Sequence, residues 1–410
     1  MPPSDDDRVP EADTVSHSKG EGRQYPGGLE SVRVTTTSDG CYRALTRNGE
    51  TVEAPTSHAV LRAAVDRLDD GGAVGLTVGS YDIGATLEID RNNVVIEGET
   101  RGTGAVGNFE GEGSGGTKLD VGSDLPAVAI NTNTAKKHYG ELRDLYLYGP
   151  GADGDAAGVV VEDCDQYQFE RLFVQQYGTG LHLEGKSNAY NVIQCIFIEN
   201  GDWHVEHRSS NKPQFYASKF LNTDGGGVII RDVKKAEFDQ CDFHGVAETA
   251  LAFDGASHAV VGQCQFDQRT DTDVGAVGVD VRADAHHVRV ADSQFQDWTM
   301  DGAVGVALSG DHSTVSDCSF DNVDTAIEVT GAHNRVDGCT FTDVRRAVVD
   351  RGTRTLLDGR GENAGDPGET GQWHGHATYA YRHNATIYDT AGDCWYKPTP
   401  DGDWLPITRR

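Results

Sequence analysis

The chain has 410 residues, with 65 Asp and Glu against 35 Lys and Arg, for a formal net charge of −30. Such a surface repels nucleic acid and anionic membranes, so neither is an expected partner. No apolar run of about 18 residues is present to insert across a bilayer. With 51 glycines, 12 prolines and 37% apolar residues, the composition suits a turn-rich all-β protein better than a helical one.

Residues 1–28 are rich in Pro, Gly and charge, have no apolar export-signal core, and read as a flexible arm. Assembly inside a producing cell, without the general export route, is the corresponding expectation. Residues 29–72 read as a hairpin and a capping helix. Asn48-Gly49 lies between alternating segments and predicts a type I′ turn. Thr56 and Ser57 are the N-cap candidates of a short helix that places Val60, Leu61, Ala64, Val65 and Leu68 on one face and ends before Gly71. Such a helix can cover the open end of a stacked sheet.

Residues 73–352 repeat. A small residue followed two positions later by Phe returns at Cys195, Ser218, Cys241, Cys264, Ser293, Cys318 and Cys339, and Asp144 and Arg171 extend this slot upstream. The steps run from 21 to 29 residues. A second marker, a small residue opening an alternating strand, keeps the same period at Gly158, Gly180, Gly227, Ala250, Gly278, Gly305 and Ala326. Gly98 falls two periods before Asp144. A fixed period of roughly 23 residues with period-two segments and no helical stripe predicts stacked coils of three short strands, a parallel β-helix of about ten coils. Inward side chains then form columns, one of small residues and one of Phe. Loops near 149–157 and 267–276 account for the long steps. Five cysteines fall in the small column and are expected to be thiols; the state of Cys41, Cys164 and Cys394 is left open. From 353 to 410 the period is lost, and a small C-terminal β cap or module is expected.

The run from the helix through "GGAVGLTVGSYDIGATLEIDRNNVVIEGE" resembles the opening of the pectate-lyase-like right-handed β-helix superfamily, and more narrowly its viral tailspike type. The resemblance covers roughly residues 57–352 and is specific for fold, because the superfamily mixes lyases, hydrolases, epimerases and non-catalytic spikes. It implies a right-handed coil and a homotrimer. The segment "ATIYDTAGDCWYKPTPDGDWLPI" resembles small β modules that close phage-type tail and decoration proteins. Abundant Asp with only ten lysines looks like the surface of a protein from a salt-loving archaeon or its virus.

Asn222-Thr223-Asp224 is similar to the Asn-Thr-Asp motif of polygalacturonase-type hydrolases, which would make Asp224 a general acid. One period on, Asp242, His244 and Glu248 are the remaining catalytic candidates, without the paired Asp of that family. The competing reading is structural: Glu199-Asn200, Asn222, Asp297, Asn322 and Asp343 recur near this position, where turns need left-handed backbone. Trp203, Tyr177 and Trp298 are the candidates for stacking on sugar rings. His182 and His204 could stack on the outside of adjacent coils, but no third ligand accompanies them and no metal site is assigned. No cofactor is expected; Ca²⁺ would draw on Asp267, Asp271 and Asp273 beside Arg269.

Two functional readings follow. The first is a virion surface protein, a tail spike, fibre, turret or decoration component, whose β-helix flank binds a host-surface glycan and whose N-terminal arm meets other virion proteins. The alternative is a polysaccharide lyase or glycoside hydrolase acting on acidic polysaccharide. An enzyme requires two or three carboxylates converging on one groove, with one shifted in pKa; a binding rod requires a shallow flank without that convergence.

Overall fold

A computed structural model describes residues 30–37, 41–46, 49–68, 71–102, 115–131, 139–185, 189–208, 212–268, 276–357, 387–389, 394–398 and 404–407. Three long parallel sheets run along the molecule, one of fifteen strands (sheet I) and two of eleven (sheets II and III). Each winding contributes one strand to each sheet in turn, from Gly72–Leu76, Gly79–Asp82 and Leu87–Ile89 to Arg335–Asp337, Thr340–Thr342 and Arg346–Asp350. That makes eleven complete coils, close to the ten expected from the period.

The columns form as the repeat demands. Phe197, Phe220, Phe243, Phe266, Phe295, Phe320 and Phe341 are buried and stack face to face along the inside of sheet II, with centroids 4.7 to 5.5 Å apart. Each offset stack contributes about 0.5–1.5 kcal/mol beyond the area it buries. Cys195, Cys241, Cys264, Cys318 and Cys339 are buried free thiols, and Cys41 and Cys164 are free as well. The chain around Cys394 is described only as a strand.

The small slot has a reason beyond size. The residue just before it has positive φ: Gln194, Ala217, Gln240, Gln263, Asp292, Asp317 and Gly338 all lie between 48° and 66°. The slot side chain then donates back to the carbonyl two residues earlier, at 2.9 to 3.6 Å in every one of these seven coils. Cys and Ser both supply a short donor for this corner, which is why they alternate.

The register corrects three expectations. Asp144 and Arg171 pair with the left-handed corner rather than the slot, because Arg143 pairs with Glu170 and Glu170 with Ile193. The slot in those coils is taken by Leu145 and Leu172, both buried. Gly98 lies one coil from Asp144, not two, since Glu97 pairs directly with Arg143; this coil is lengthened by the segment ahead of Thr117. A Cβ at Gly98 would meet the Asp144 carbonyl at 2.2 Å, so only glycine fits there. The hairpin joins Tyr42–Thr46 to Thr51–Ala54, with Thr46 N–H bonded to Glu50 O. Three residues therefore lie between the bonded pair, and Gly49 at φ 81° closes a loop longer than the two-residue type I′ turn.

The helix spans Ser57–Asp66. Thr56 is its N-cap and accepts from Ala59 N–H, whereas Ser57 points down to donate to Asp82 O. Val60, Leu61, Ala64, Val65 and Leu68 are fully buried over the first coil, the lid that the pattern predicted. Strand Glu30–Thr36 runs parallel to Gly72–Leu76 and carries the hairpin on its other edge, closing the N-terminal end of sheet I. Towards the C-terminus, Ile387–Asp389, Cys394–Pro398 and Trp404–Ile407 form a separate antiparallel sheet. The residues of the N-terminal arm, and Arg269, Asp271 and Asp273 of the acidic loop, lie outside the described residues.

Candidate functional site

The rod offers three outer faces, and the chemistry differs on each. On sheet II, Asp242 and His244 point outward on either side of buried Phe243. Asp242 is held by Lys219 Nζ at 3.1 Å, and His244 Nδ1 faces Asp267 Oδ2 at 3.1 Å on the next coil. The hydrogen bond to the Asp267 carboxylate raises the imidazole pKa above its ordinary value, with burial opposing it. Asp224 stands apart from this pair. It lies in the turn beyond the end of strand Lys219–Thr223, and it is Lys219 at the start of that strand that pairs with Asp242.

The polygalacturonase-like motif is a corner. Asn222 has φ 45°, and Glu199, Asp297, Asn322 and Asp343 share its left-handed conformation at the same level of other coils. Thr223 is buried and donates to Asn200 O. The ladder reading therefore describes these residues. A shallow recess of about 450 Å³ does gather Asp301, Asp324 and Asp343, but Arg345 Nη1 bridges Asp301 and Asp324 at 3.1 and 3.0 Å. Arg346 binds Asp324 as well. Asp301 and Asp324 are thus paired with guanidinium, whereas Asp343 is exposed at the rim.

Sheet III carries a ladder of ion pairs. His182 Nδ1 meets Glu206 at 3.2 Å, Glu206 accepts from Arg208 and Arg231, and Asp254 accepts from Arg231 and Arg282. Hydrogen bonding to His182 lowers the Glu206 pKa to about 2, and the same contact raises His182. His182 thus stacks on Glu206 and not on His204, correcting the expected imidazole pair. His204 and His207 are interior, and burial lowers both to about 3. No group of three or more His, Cys, Asp or Glu among the described residues has metal-binding geometry.

The aromatic candidates are also redistributed. Tyr177 and Trp298 are fully buried, so neither can stack on a sugar. Trp298 Nε1 donates to Phe266 O at 3.1 Å, and Tyr177 N–H donates to the buried Asn200 side chain, both inside the coil. Period-two reasoning missed this because both lie in corners, where alternation no longer tells inside from outside. Trp203 is half-buried, its ring laid over the Gly226 backbone of the next coil, where a Cβ would come within 2.3 Å.

The open flank is on sheet I. Its outward row runs Val95, Glu141, Gln168, Asn191, Gln214 and Glu237 from coil to coil. A shallow groove of about 440 Å³ follows this row, edged by Tyr139, which is 42% exposed, and by Gln166. Gln168 Nε2 bonds Glu141 within the row and Glu170 on its own strand, and Gln214 Nε2 bonds Glu237. Amides and carboxylates that tether one another in line present a surface of paired donors and acceptors beside an aromatic ring. The sequence signal for these residues is their place one step before the inward residue of "YQFE", "YNVI" and "QFY".

Residues 157–297 match the sequence family described as "Right handed beta helix region". No curated protein matches the sequence. Among solved structures, PfbA, a surface adhesin of Streptococcus pneumoniae, is similar over 86% of this chain and 96% of its own, at 12% identity and a TM-score of 0.59. DFA-IIIase from Arthrobacter chlorophenolicus A6, solved with GF2, is similar over 74% and 87%, at 14% identity and a TM-score of 0.52. ORF18 of Geobacillus virus E2 is similar over 84% of this chain at 13% identity and a TM-score of 0.45, and the chain spans 62% of its length. At these identities the likeness to PfbA and DFA-IIIase is one of architecture, and with the family match and the three parallel sheets it establishes the fold: the chain is a right-handed parallel β-helix.

Proposed function

We propose that the chain is a surface rod that binds a host-cell glycan along the sheet I flank without cleaving it. The observation that carries this reading is the shallow groove of Tyr139, Gln166, Gln168, Asn191 and Gln214. An amide row of this kind matches sugar hydroxyls, and the exposed ring offers a stacking face. In support, Asp301 and Asp324 of the acidic recess, and Asp242 and Asp267 on sheet II, are engaged by Arg, Lys or His. The finer reading is a virion surface component, assembled as a homotrimer and anchored through residues 1–28. The shared architecture with a bacterial surface adhesin is in keeping with a rod that displays a flank.

The test is incubation with purified envelope polysaccharide from candidate hosts. Retention of the polysaccharide is expected, with neither new reducing ends nor the absorbance of unsaturated uronates. Tyr139→Ala should weaken retention by about tenfold, the loss of roughly 1–2 kcal/mol usual for an anchoring aromatic. Appearance of cleavage products would replace this reading with the hydrolase or lyase one.

A further inference from the structure

The corner between sheets III and I differs from the other corners in one respect. Upstream, Asn93 and Gln166 take the left-handed position just before the sheet I strand, and it then recurs in seven successive coils at Lys212, Lys235, His258, His287, His312, His333 and Arg354, with φ between 56° and 63°. All seven are exposed and all seven are basic. Left-handed geometry does not ask for cations: the corner between sheets I and II is built largely from Asp, Gln and Gly, and that between II and III from Gln, Glu, Asn, Gly and Asp. The basic column is therefore a chemical choice and not a backbone requirement.

The four histidines stack as parallel plates. His258 and His287 have centroids 4.9 Å apart, His287 and His312 5.1 Å, and His312 and His333 4.7 Å, with interplanar angles of 1°, 9° and 3°. His286 stands edge-on to this stack, its Nδ1 2.9 Å from that of His287. Seven residues at a coil spacing of about 4.8 Å make a line of about 30 Å.

The ion pairing of the molecule points to the same edge. Nearly all described Lys and Arg residues have a carboxylate within 4.0 Å; the exceptions are Arg101, Lys212, Lys234, Lys235, Arg289 and Arg354. All but Arg101 belong to this corner, with Lys234 and Arg289 flanking the column. On a chain of net charge −30, no carboxylate among the described residues comes within 4.0 Å of these five cations. The acids that face it are few. Glu237 bonds Gln214, Asp311 accepts from Ala332 N–H, Asp337 is held by Arg335, and Asp232 and Asp284 are exposed in the preceding turns.

We propose that this basic ladder binds a linear acidic polysaccharide lying parallel to the rod axis, its carboxylates or sulfates meeting successive coils. This deepens the glycan-binding reading and rests on it, because the ladder continues the same edge as the sheet I groove: Lys212 stands two residues before Gln214. An extended polyanion with one charge per sugar advances by a step comparable to one coil, so a single chain can engage several cations in register. The histidines make the grip depend on pH. Desolvation and the charges of His258, His286 and His312 hold His287 below the ordinary imidazole value. A bound polyanion offsets that mutual repulsion, so binding takes up protons and tightens as pH falls.

The experiment measures binding of the full chain to polygalacturonate, to neutral dextran and to a single-stranded oligonucleotide, at about pH 5.5 and about pH 8. Polygalacturonate should bind about tenfold or more tightly at the lower pH, and dextran should show no pH dependence. His287→Asn with His312→Asn keeps residues that tolerate the left-handed corner; it should reduce the pH dependence, leaving only the share of His258, His286 and His333, while affinity at the higher pH stays unchanged. Lys234→Gln with Lys235→Asn should weaken binding at both, and reduce the slope of log affinity against log salt by about one per cation removed. Circular dichroism of each variant should match the parent, since every altered side chain is exposed. Equal binding of dextran and polygalacturonate, unaffected by the ladder variants, would overturn the ladder and leave the glycan reading standing. Absence of binding to any glycan, including host envelope polysaccharide, overturns both. Tighter binding of the oligonucleotide than of polygalacturonate overturns the assignment of the ligand as a glycan.

Discussion

Glu206 shows how one side chain can tie several coils together. It accepts from His182 below, from Arg208 on its own strand and from Arg231 above, and its pKa is lowered to about 2, chiefly by His182. A carboxylate lowered in the folded state stabilises it above its unfolded pKa of about 4.3, and that part is lost as pH falls from there towards the folded value. His182 is raised, so its part is present below about pH 6.5 and is lost as pH rises through the folded value. Glu206→Gln should therefore lower the melting temperature between those limits and merge with the parent at the acid extreme. A melting curve taken at each pH checks this, and equal differences at every pH would show that the contact is not ionic. Neither partner was recognisable as a pair beforehand. His182 and Glu206 are 24 residues apart, while His182 and His204 are 22 apart; a corner that varies by a residue or two decides which of them sits above it.

At the scale of the repeated element, the seven stacked phenylalanines, with the small slot two positions before each, form the spine of the rod. Phe243 lies between Phe220 at 4.7 Å and Phe266 at 4.8 Å and is 1% exposed. Phe243→Ala should cost about 3–5 kcal/mol, because the coils above and below cannot close the gap without breaking their ladder bonds. Cys264→Ser should cost far less, since Ser218 and Ser293 already make the same back-bond to the carbonyl two residues earlier. Denaturant unfolding of the two variants gives the comparison, and similar losses would show that the small column matters as much as the aromatic one. This element was legible in the sequence because like must sit on like in a parallel stack, so period and chemistry coincide. The upstream slip from Leu145 to Asp144 arose where the coils carry Leu instead of Cys or Ser and the marker fades.

The whole molecule is a rod whose charge is distributed by face: paired ladders on sheet III, an amide row on sheet I and, among the described residues, cations without a carboxylate partner that gather, Arg101 apart, at one corner. With a net charge of −30, the fold pays a long-range repulsion that salt relieves. The melting temperature should rise by several degrees between about 0.1 and 1 M KCl, over which the screening length falls from about 10 to 3 Å. A melting temperature that stays flat or falls over that range would count against a surface adapted to high salt. The same titration separates two effects, because salt that steadies the rod should weaken a polyanion on the basic ladder.

Some of this was determined by the chain alone. The period, the Phe and Cys columns, the capping helix and its buried face follow from residue spacing, since a stack translates sequence repetition directly into contact. What only the tertiary structure decided lies in the corners. Whether Tyr177 and Trp298 turn inward, whether Asn222 serves a turn, and that Lys212, Lys235, His258, His287, His312, His333 and Arg354 align along one edge all depend on left-handed residues between strands. Period two breaks at those residues, and the direction of a side chain there is set by the coil beneath it and no longer by its neighbours in sequence.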